Sequence, residues 1–420
     1  MKTRTNPVKI LLIILGIILV IAAVVLSVLI YSGDLRLASL QENVENSYLF
    51  GRCSGDVNHV ELDETLISVK GMESYKGATE RISSGYFLKK LREGQEDAAV
   101  SLYNAIVYAI DNDFNFISLP CAVYEQETVE KAVWYAFCDL PTVDRSTQAG
   151  FADSSITLAD GTVSKRFYLY FPTGSTEHLS YKKKAVEAAK QLVAELPSSC
   201  DTDMKKAAYF YDWLVCNVQY TADENYDSGN PYYLYDTLVG RVSNAVGFSN
   251  TYTLLLNLCG VEGFSVYRPE GRERRSDTWN VFRADGFYYQ ADLLADASIY
   301  SLGLGNLNLG FCLSKEALGY EYDAMIQQAA PASDATNHDR DHIDAVAPGI
   351  ETAHKDLPEI LSAREALENG APYVAVRCNA FENYSWSDNF RVISRWFADC
   401  SVDFNMANCG DRICVIYPKK

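Results

Sequence analysis

Apolar residues recur along this chain with two periods, one helical and one alternating, and the two alternate in blocks. Leu88, Leu91, Leu102, Ile106 and Ile110 fall near helical spacing and predict a helix over Tyr86 to Ile110. Phe114 to Tyr124 and Lys131 to Phe137 hold aromatic and apolar runs around a proline. Ser155 to Leu158 and Ser164 to Phe171 flank Asp160-Gly161 and predict a hairpin. Ala185, Ala189, Leu192, Val193 and Leu196 share one face of a helix over Tyr181 to Leu196, which Pro197 ends. Met204 to Asn217 is helical as well. The next helix starts near Ala245. Asn244 is its N-cap, Phe248, Tyr252, Leu255 and Leu256 are its buried stripe, and Gly260 stops it. Phe264 to Tyr267, Thr278 to Arg283 and Phe287 to Ala291 read as strands of an antiparallel sheet, the last two joined at Asp285-Gly286. Residues 328 to 358, rich in Ala, Asp, Pro and His, read as a loop or linker. The tail predicts a strand (Tyr373 to Arg377), a helix (Asn389 to Asp399) and two strands (Ser401 to Met406, Arg412 to Ile416).

One block breaks the pattern. Ile10 to Ile30 is apolar throughout and carries no charge. At 1.5 Å per residue it is long enough to cross a hydrocarbon core of about 30 Å. A cleaved leader has a shorter apolar core, so a retained anchor is expected. Lys2, Arg4 and Lys9 precede the segment, whereas Asp34 and Arg36 balance behind it. The positive-inside rule then places the N-terminus in the cytoplasm and the rest of the chain outside, as a single-pass membrane protein.

The 420 residues carry 55 acidic against 37 basic side chains, a formal net charge of −18. With no basic stripe, nucleic acid is disfavoured as a partner. The 11 cysteines include no C-x-x-C pair, and no Cys/His group has zinc-finger spacing. Cys378, Cys400, Cys409 and Cys414 crowd the tail, where one disulfide is plausible. His338-Asp339-Arg340-Asp341-His342 is a weak metal-site signal, with an arginine in its middle. Neither metal nor cofactor is expected. The 28 tyrosines suit either sheet packing or a surface that binds peptide or sugar.

Two segments carry the candidate chemistry. Leu238 to Tyr252 reads LVGRVSNAVGFSNTY, and Asp277 to Asp292 reads DTWNVFRADGFYYQAD. Together they resemble the two catalytic blocks of the bacterial transglutaminase-like family, relatives of papain-type thiol enzymes. The first block runs roughly L-V-x-G-x-x-V-C-x-G-[YF]-[SA]-x-[AT]-[YF], and the second H-A-W-N-x-V-x-x-D-G-x-W-Y-x-x-D. Gly247 to Tyr252 sets the first register, and Trp279-Asn280 with Asp285-Gly286 sets the second. The order of the surrounding segments agrees: KAAYFYDWLVCNVQY precedes the first block, Gly260-Val261-Glu262 follows its helix, and Phe311 to Ser314 follows the second block. The resemblance covers about 200 to 320, and more weakly about 86 to 200.

The resemblance puts the nucleophilic Cys at Ala245, the base His at Asp277 and the orienting Asp at Asp292. Thiol catalysis needs a thiolate paired with an imidazolium, held by a third group. Ala245 and Asp277 supply neither. Ser243 is two residues early, Ser249 points elsewhere on the helix, and Cys259 lies about 21 Å along it. None of the five histidines, His59, His178, His338, His342 and His354, falls between the two blocks. The expected fold is α+β: a transglutaminase-like core of a central helix on an antiparallel sheet (200–327). An α+β domain (32–199), a membrane helix (10–31) and a cytoplasmic tail (1–9) precede it. A linker (328–370) and a small β-α-β-β domain (371–420) follow. The expected function is a membrane-tethered pseudoenzyme that binds or scaffolds peptide or cell-wall material. Asn244, Trp279, Tyr288 and Tyr235 are the groove candidates. The competing reading gives Asp277 and Asp292 a carboxylate-based or metal-assisted hydrolytic chemistry.

Overall fold

A computed structural model describes residues 59–61, 83–111, 116–120, 125–142, 150–157, 163–170, 176–221, 233–267, 278–313, 343–347, 352–378, 386–409 and 413–419. The apolar segment at 10–30, Asp277 and the 338–342 motif lie outside them. Among the described residues no helix is long and apolar enough to cross a membrane. The protein is a mixed α+β structure. It divides into two compact units, Met1–Asn58 with Asp153–Arg166, and His59–Ala152 with Phe167–Lys420. Of the first, only parts of the hairpin strands β3 (Gly150–Thr157) and β4 (Val163–Tyr170) are described.

The second unit begins with strand β1 (His59–Glu61), which pairs in parallel with β2 (Phe116–Pro120). The helix expected over 86–110 is two helices, α1 (Tyr86–Glu93) and α2 (Asp97–Asp111). They break at Gly94-Gln95, where Gln95 takes a left-handed φ of 57°. Helix α3 (Gln126–Asp139) follows. The N-cap of α1, Gly85, has no side chain to offer. Asp139, at the end of α3, supplies the missing acceptor. Its carboxylate takes the N–H of Phe87 at 3.0 Å, that of Leu88 at 3.1 Å and the Tyr103 hydroxyl at 2.8 Å. Burial pushes its pKa up to about 7 against those bonds.

Helices α4 (Thr176–Ala194) and α5 (Asp203–Asn217) lead to the short parallel pair β5 (Gln219–Tyr220) and β6 (Val242–Ser243). A π-helical turn, Asp236–Gly240, precedes β6. Helix α6 (Ala245–Leu258) then packs on an antiparallel sheet of β7 (Gly263–Tyr267), β8 (Thr278–Ala284) and β9 (Phe287–Ala291), ordered 7-8-9. These are the helix and strands that the apolar pattern predicts. The β8–β9 turn is Asp285-Gly286, both at positive φ, as the right-handed twist of a tight hairpin requires.

Strand alternation sorts this sheet's side chains between two cores. Phe282, Tyr289 and Ala291 face α6, α5 and α4. Phe264, Val266, Trp279 and Val281 face the other way, into a core with α1, α2 and α3, where Tyr86 stacks on Phe264 at 4.5 Å. After β9 the chain enters α7 (Leu293–Ser301), which the sequence reading lacks.

The segment 328–370, expected as a linker, is structured in part. It holds strand β10 (Ala345–Ala347), a 3-10 turn (Thr352–Asp356) and helix α8 (Pro358–Glu368). Ile360, Ala363 and Leu367 form a buried helical stripe there, and Pro358 occupies the first turn, where its missing N–H is harmless. Strands β11 (Val374–Cys378), β12 (Phe404–Cys409) and β13 (Ile413–Pro418) and helix α9 (Trp386–Trp396) complete a four-stranded sheet of order 10-11-13-12. One face packs on α8 and α9. The other packs on α7 and Leu307 and Leu309, so this sheet shares a core with its neighbour. No disulfide forms in the tail. Cys378 and Cys414 point into the α8–α9 core and Cys409 points to the opposite face, all as free thiols. Burial pushes the Cys378 thiol up to about 12.

Candidate functional site

The start of α6 has the geometry expected of it. Asn244 is extended, and its Oδ1 accepts the Gly247 N–H at 2.9 Å. Ala245 follows, 5 % exposed. One turn on, Ser249 Oγ donates to the Trp279 carbonyl at 3.2 Å, and Asn280 Nδ2 donates back to the Ser249 carbonyl at 2.8 Å. The helix start therefore sits beside the N-terminal end of β8. The candidate substitute nucleophiles are all engaged elsewhere. Ser243 Oγ lies 2.7 Å from Thr237 Oγ1, Ser249 faces the sheet, and Cys259 Sγ donates to the Leu256 carbonyl at 3.2 Å. Burial raises the Cys259 thiol pKa, which works against thiolate formation. His354, the one described histidine side chain, packs against Trp396 in the tail.

Asp292 lies just past the end of β9. It is the N-cap of α7, its Oδ1 accepting the Ala295 N–H at 3.2 Å, and it is 3 % exposed. The reason is local: Asp292 ends β9 and stands one residue before a helix, the position where a short acceptor side chain satisfies an orphan N–H.

A second buried carboxylate, which sequence reasoning missed, lies one turn into α7. Asp296 accepts the Tyr211 hydroxyl at 2.6 Å, the Gly310 N–H at 2.8 Å and the Leu309 N–H at 3.1 Å. Burial raises its pKa, and these bonds pull the other way. The same cluster fixes the returning loop, because Asp292 N–H donates to the Gly310 carbonyl at 2.8 Å. A Cβ on Gly310 would overlap the Asp292 carbonyl oxygen and come 2.7 Å from Tyr211 Oη, so only glycine fits. Among the described residues no His/Cys/Asp/Glu group has the geometry of a metal site.

The four groove candidates do not converge. Asn244 is committed as the α6 cap. Trp279 and Tyr288 belong to the sheet face turned away from α6. Trp279 Nε1 donates to Gln290 Oε1 at 2.7 Å, and the Tyr288 hydroxyl donates to Glu262 at 2.7 Å beside Tyr86. The period-2 alternation of a strand dictates this, since Thr278, Asn280 and Phe282 take the helix side. Tyr235 stands against Tyr181, ring centroids 4.8 Å apart, with the Lys184 ammonium 6.0 Å from its ring.

Arg241, between the π-helical turn and β6, is the unusual residue near the site. Its φ is 61°, a left-handed conformation that costs a non-glycine residue roughly 1–2 kcal/mol. The Arg241 guanidinium lies over the Trp213 ring, 4.2 Å from its centroid. Desolvation there lowers its pKa. The chain matches no protein-family model, and no curated protein sequence matches it.

Proposed function

We propose that this chain is a membrane-anchored, extracytoplasmic transglutaminase-like pseudoenzyme that binds or scaffolds peptide or cell-wall material. The observation that carries this reading is the capped start of α6. The helix begins where the family's nucleophile would stand, beside the sheet, and the residue there is Ala245. The third position supports it too. Asp292 serves as a helix cap. The competing carboxylate chemistry would need Asp292 open to substrate and free to exchange a proton. Its burial and its capping bond argue against that role.

Two measurements on the full chain in detergent test this. Peptide hydrolysis and amine transfer are expected to be absent, and iodoacetamide-sensitive turnover would overturn the reading. Co-sedimentation with purified peptidoglycan is expected to retain the protein. Replacing Ala245→Cys together with Asp277→His is the sharper probe. It is expected to restore weak iodoacetamide-sensitive reactivity, because Asn244 already caps the helix that would present the thiol at 245.

A further inference from the structure

Several described cations of this acidic protein have an acidic neighbour. Lys131 bonds Glu96 at 2.6 Å, Lys205 bonds Asp201 at 2.7 Å, Lys206 bonds Asp203 at 3.3 Å and Arg283 lies 3.6 Å from Glu262. Arg241 pairs with no carboxylate among the described residues and stacks on a ring instead. It is exposed, four residues before Ala245, and its charged group rests on an indole face. Its backbone sits in a region where glycine would be strain-free. Glycine at 241 would relieve that strain at no cost to the backbone hydrogen bond from Gln219 N–H to the Arg241 carbonyl, 2.8 Å long. Backbone geometry alone therefore does not call for arginine at 241. A guanidinium stacked by one face keeps its edge free, and that edge is a planar fork of N–H donors that matches a carboxylate in two parallel bonds.

We infer that Arg241 and Trp213 form a binding site for the free carboxylate of a peptide ligand, with the guanidinium edge donating to the carboxylate and the indole holding the guanidinium plane. This deepens the reading of the fold as a peptide-binding scaffold and rests on it. The neighbouring surface suits such an end group: Val239, two residues before, is 45 % exposed and offers an apolar contact. Partial desolvation on the ring strengthens the charge-assisted bonds.

The test uses the full chain in detergent, with N-acetyl-dialanine and its C-terminal amide as probes, followed by calorimetry. The acid is expected to bind at least tenfold more tightly than the amide. Arg241→Gly is expected to abolish that preference while melting no lower than the parent. Arg241→Lys keeps the charge and loses the fork, and is expected to reduce the preference at least fivefold; if the glycine variant melts lower, the lysine variant decides. Equal affinity for acid and amide, no binding of either, or a preference that survives both substitutions overturns the proposal. Retention on peptidoglycan without any preference for the acid would sink this site alone and leave the scaffold reading standing. Loss of both would remove the two together.

Discussion

Removing the hydroxyl of Tyr211 should reveal how much the buried Asp296 depends on it. Tyr211→Phe leaves the ring in place against Tyr252 and Phe311 and deletes one donor. That donor reaches Asp296 Oδ2 at 2.6 Å and the Asp292 carbonyl at 3.0 Å. A hydrogen bond to a charged group contributes about 1.5–3 kcal/mol. For a cooperative unit of roughly 200 residues, that corresponds to a melting-temperature drop of about 3–12 °C. The loss should depend on pH, and its sign follows from linkage. Burial raises the Asp296 pKa in the folded state above the unfolded value. The stability linked to that shift is fully present below about pH 3.9 and is lost as pH rises through the folded pKa. The Tyr211 bond favours the ionised form, so deleting it moves the folded pKa up further. The variant should therefore lose more stability at pH 8 than at pH 5. Denaturant titration of both proteins at the two pH values measures this. A neutral substitution, or one equally costly at both pH values, would refute the assignment of Asp296 as a buried carboxylate held by Tyr211.

Asp139 makes a related prediction for the α1–α3 layer. With a folded pKa of about 7, its contribution is complete below about pH 3.9 and lost as pH rises through 7, so the parent should lose stability between pH 5.5 and 8.5. Asp139→Asn should remove part of that slope, and identical slopes would exclude the assignment. At the start of α6, Asn244→Ala should cost about 0.5–2 kcal/mol by denaturant unfolding and Asn244→Gly only a few tenths. Equal effects of the two substitutions would mean that the bond to Gly247 does not cap the helix.

The parts of the fold that could be read from sequence are those specified by neighbours in the chain. Asn244 announces α6 because its side chain serves an N–H three residues on, and Asp285-Gly286 announces the β8–β9 turn because the turn needs positive φ at both residues. Helix α7 gives no such signal. It is buried on one side against α5 and on the other against the C-terminal sheet, so its sequence, LLADASIYS, has no polar face to mark a helical period. Helix α8 does have a stripe, but the Ala-, Asp- and Pro-rich stretch before it reads as a linker. The carboxylates of Asp139 and Asp296 were illegible for another reason. Their donors lie 52 and 85 residues away at Phe87 and Tyr211, and an isolated Asp in sequence looks like any surface residue. The apolar pattern and caps placed α6 and strands β8 and β9, yet the face each strand residue takes had to come from the pairing. Asn280 pairs with Ser265 and Ala291, and all three share the helix side, which sends Trp279 to the other.

The seam between α6 and the sheet is held by more than apolar packing. Twelve of the helix's fourteen residues are buried, so an apolar stripe cannot by itself fix its rotation. A polar layer does so instead. Asn280 Nδ2 donates to the Ser249 carbonyl and to Thr253 Oγ1, both at 2.8 Å; Ser265 Oγ lies 2.9 Å from Thr253 Oγ1 and donates to Asn250 Oδ1 at 3.3 Å. Turning or sliding the helix by one residue would leave several of these groups buried without partners, at about 1–3 kcal/mol each. The layer lies one to two turns beyond Ala245 and includes none of 245, 277 or 292. Position is thus specified separately from reactivity. Ala245 lies outside this layer, so a substitution there should leave the polar contacts that hold the helix in place.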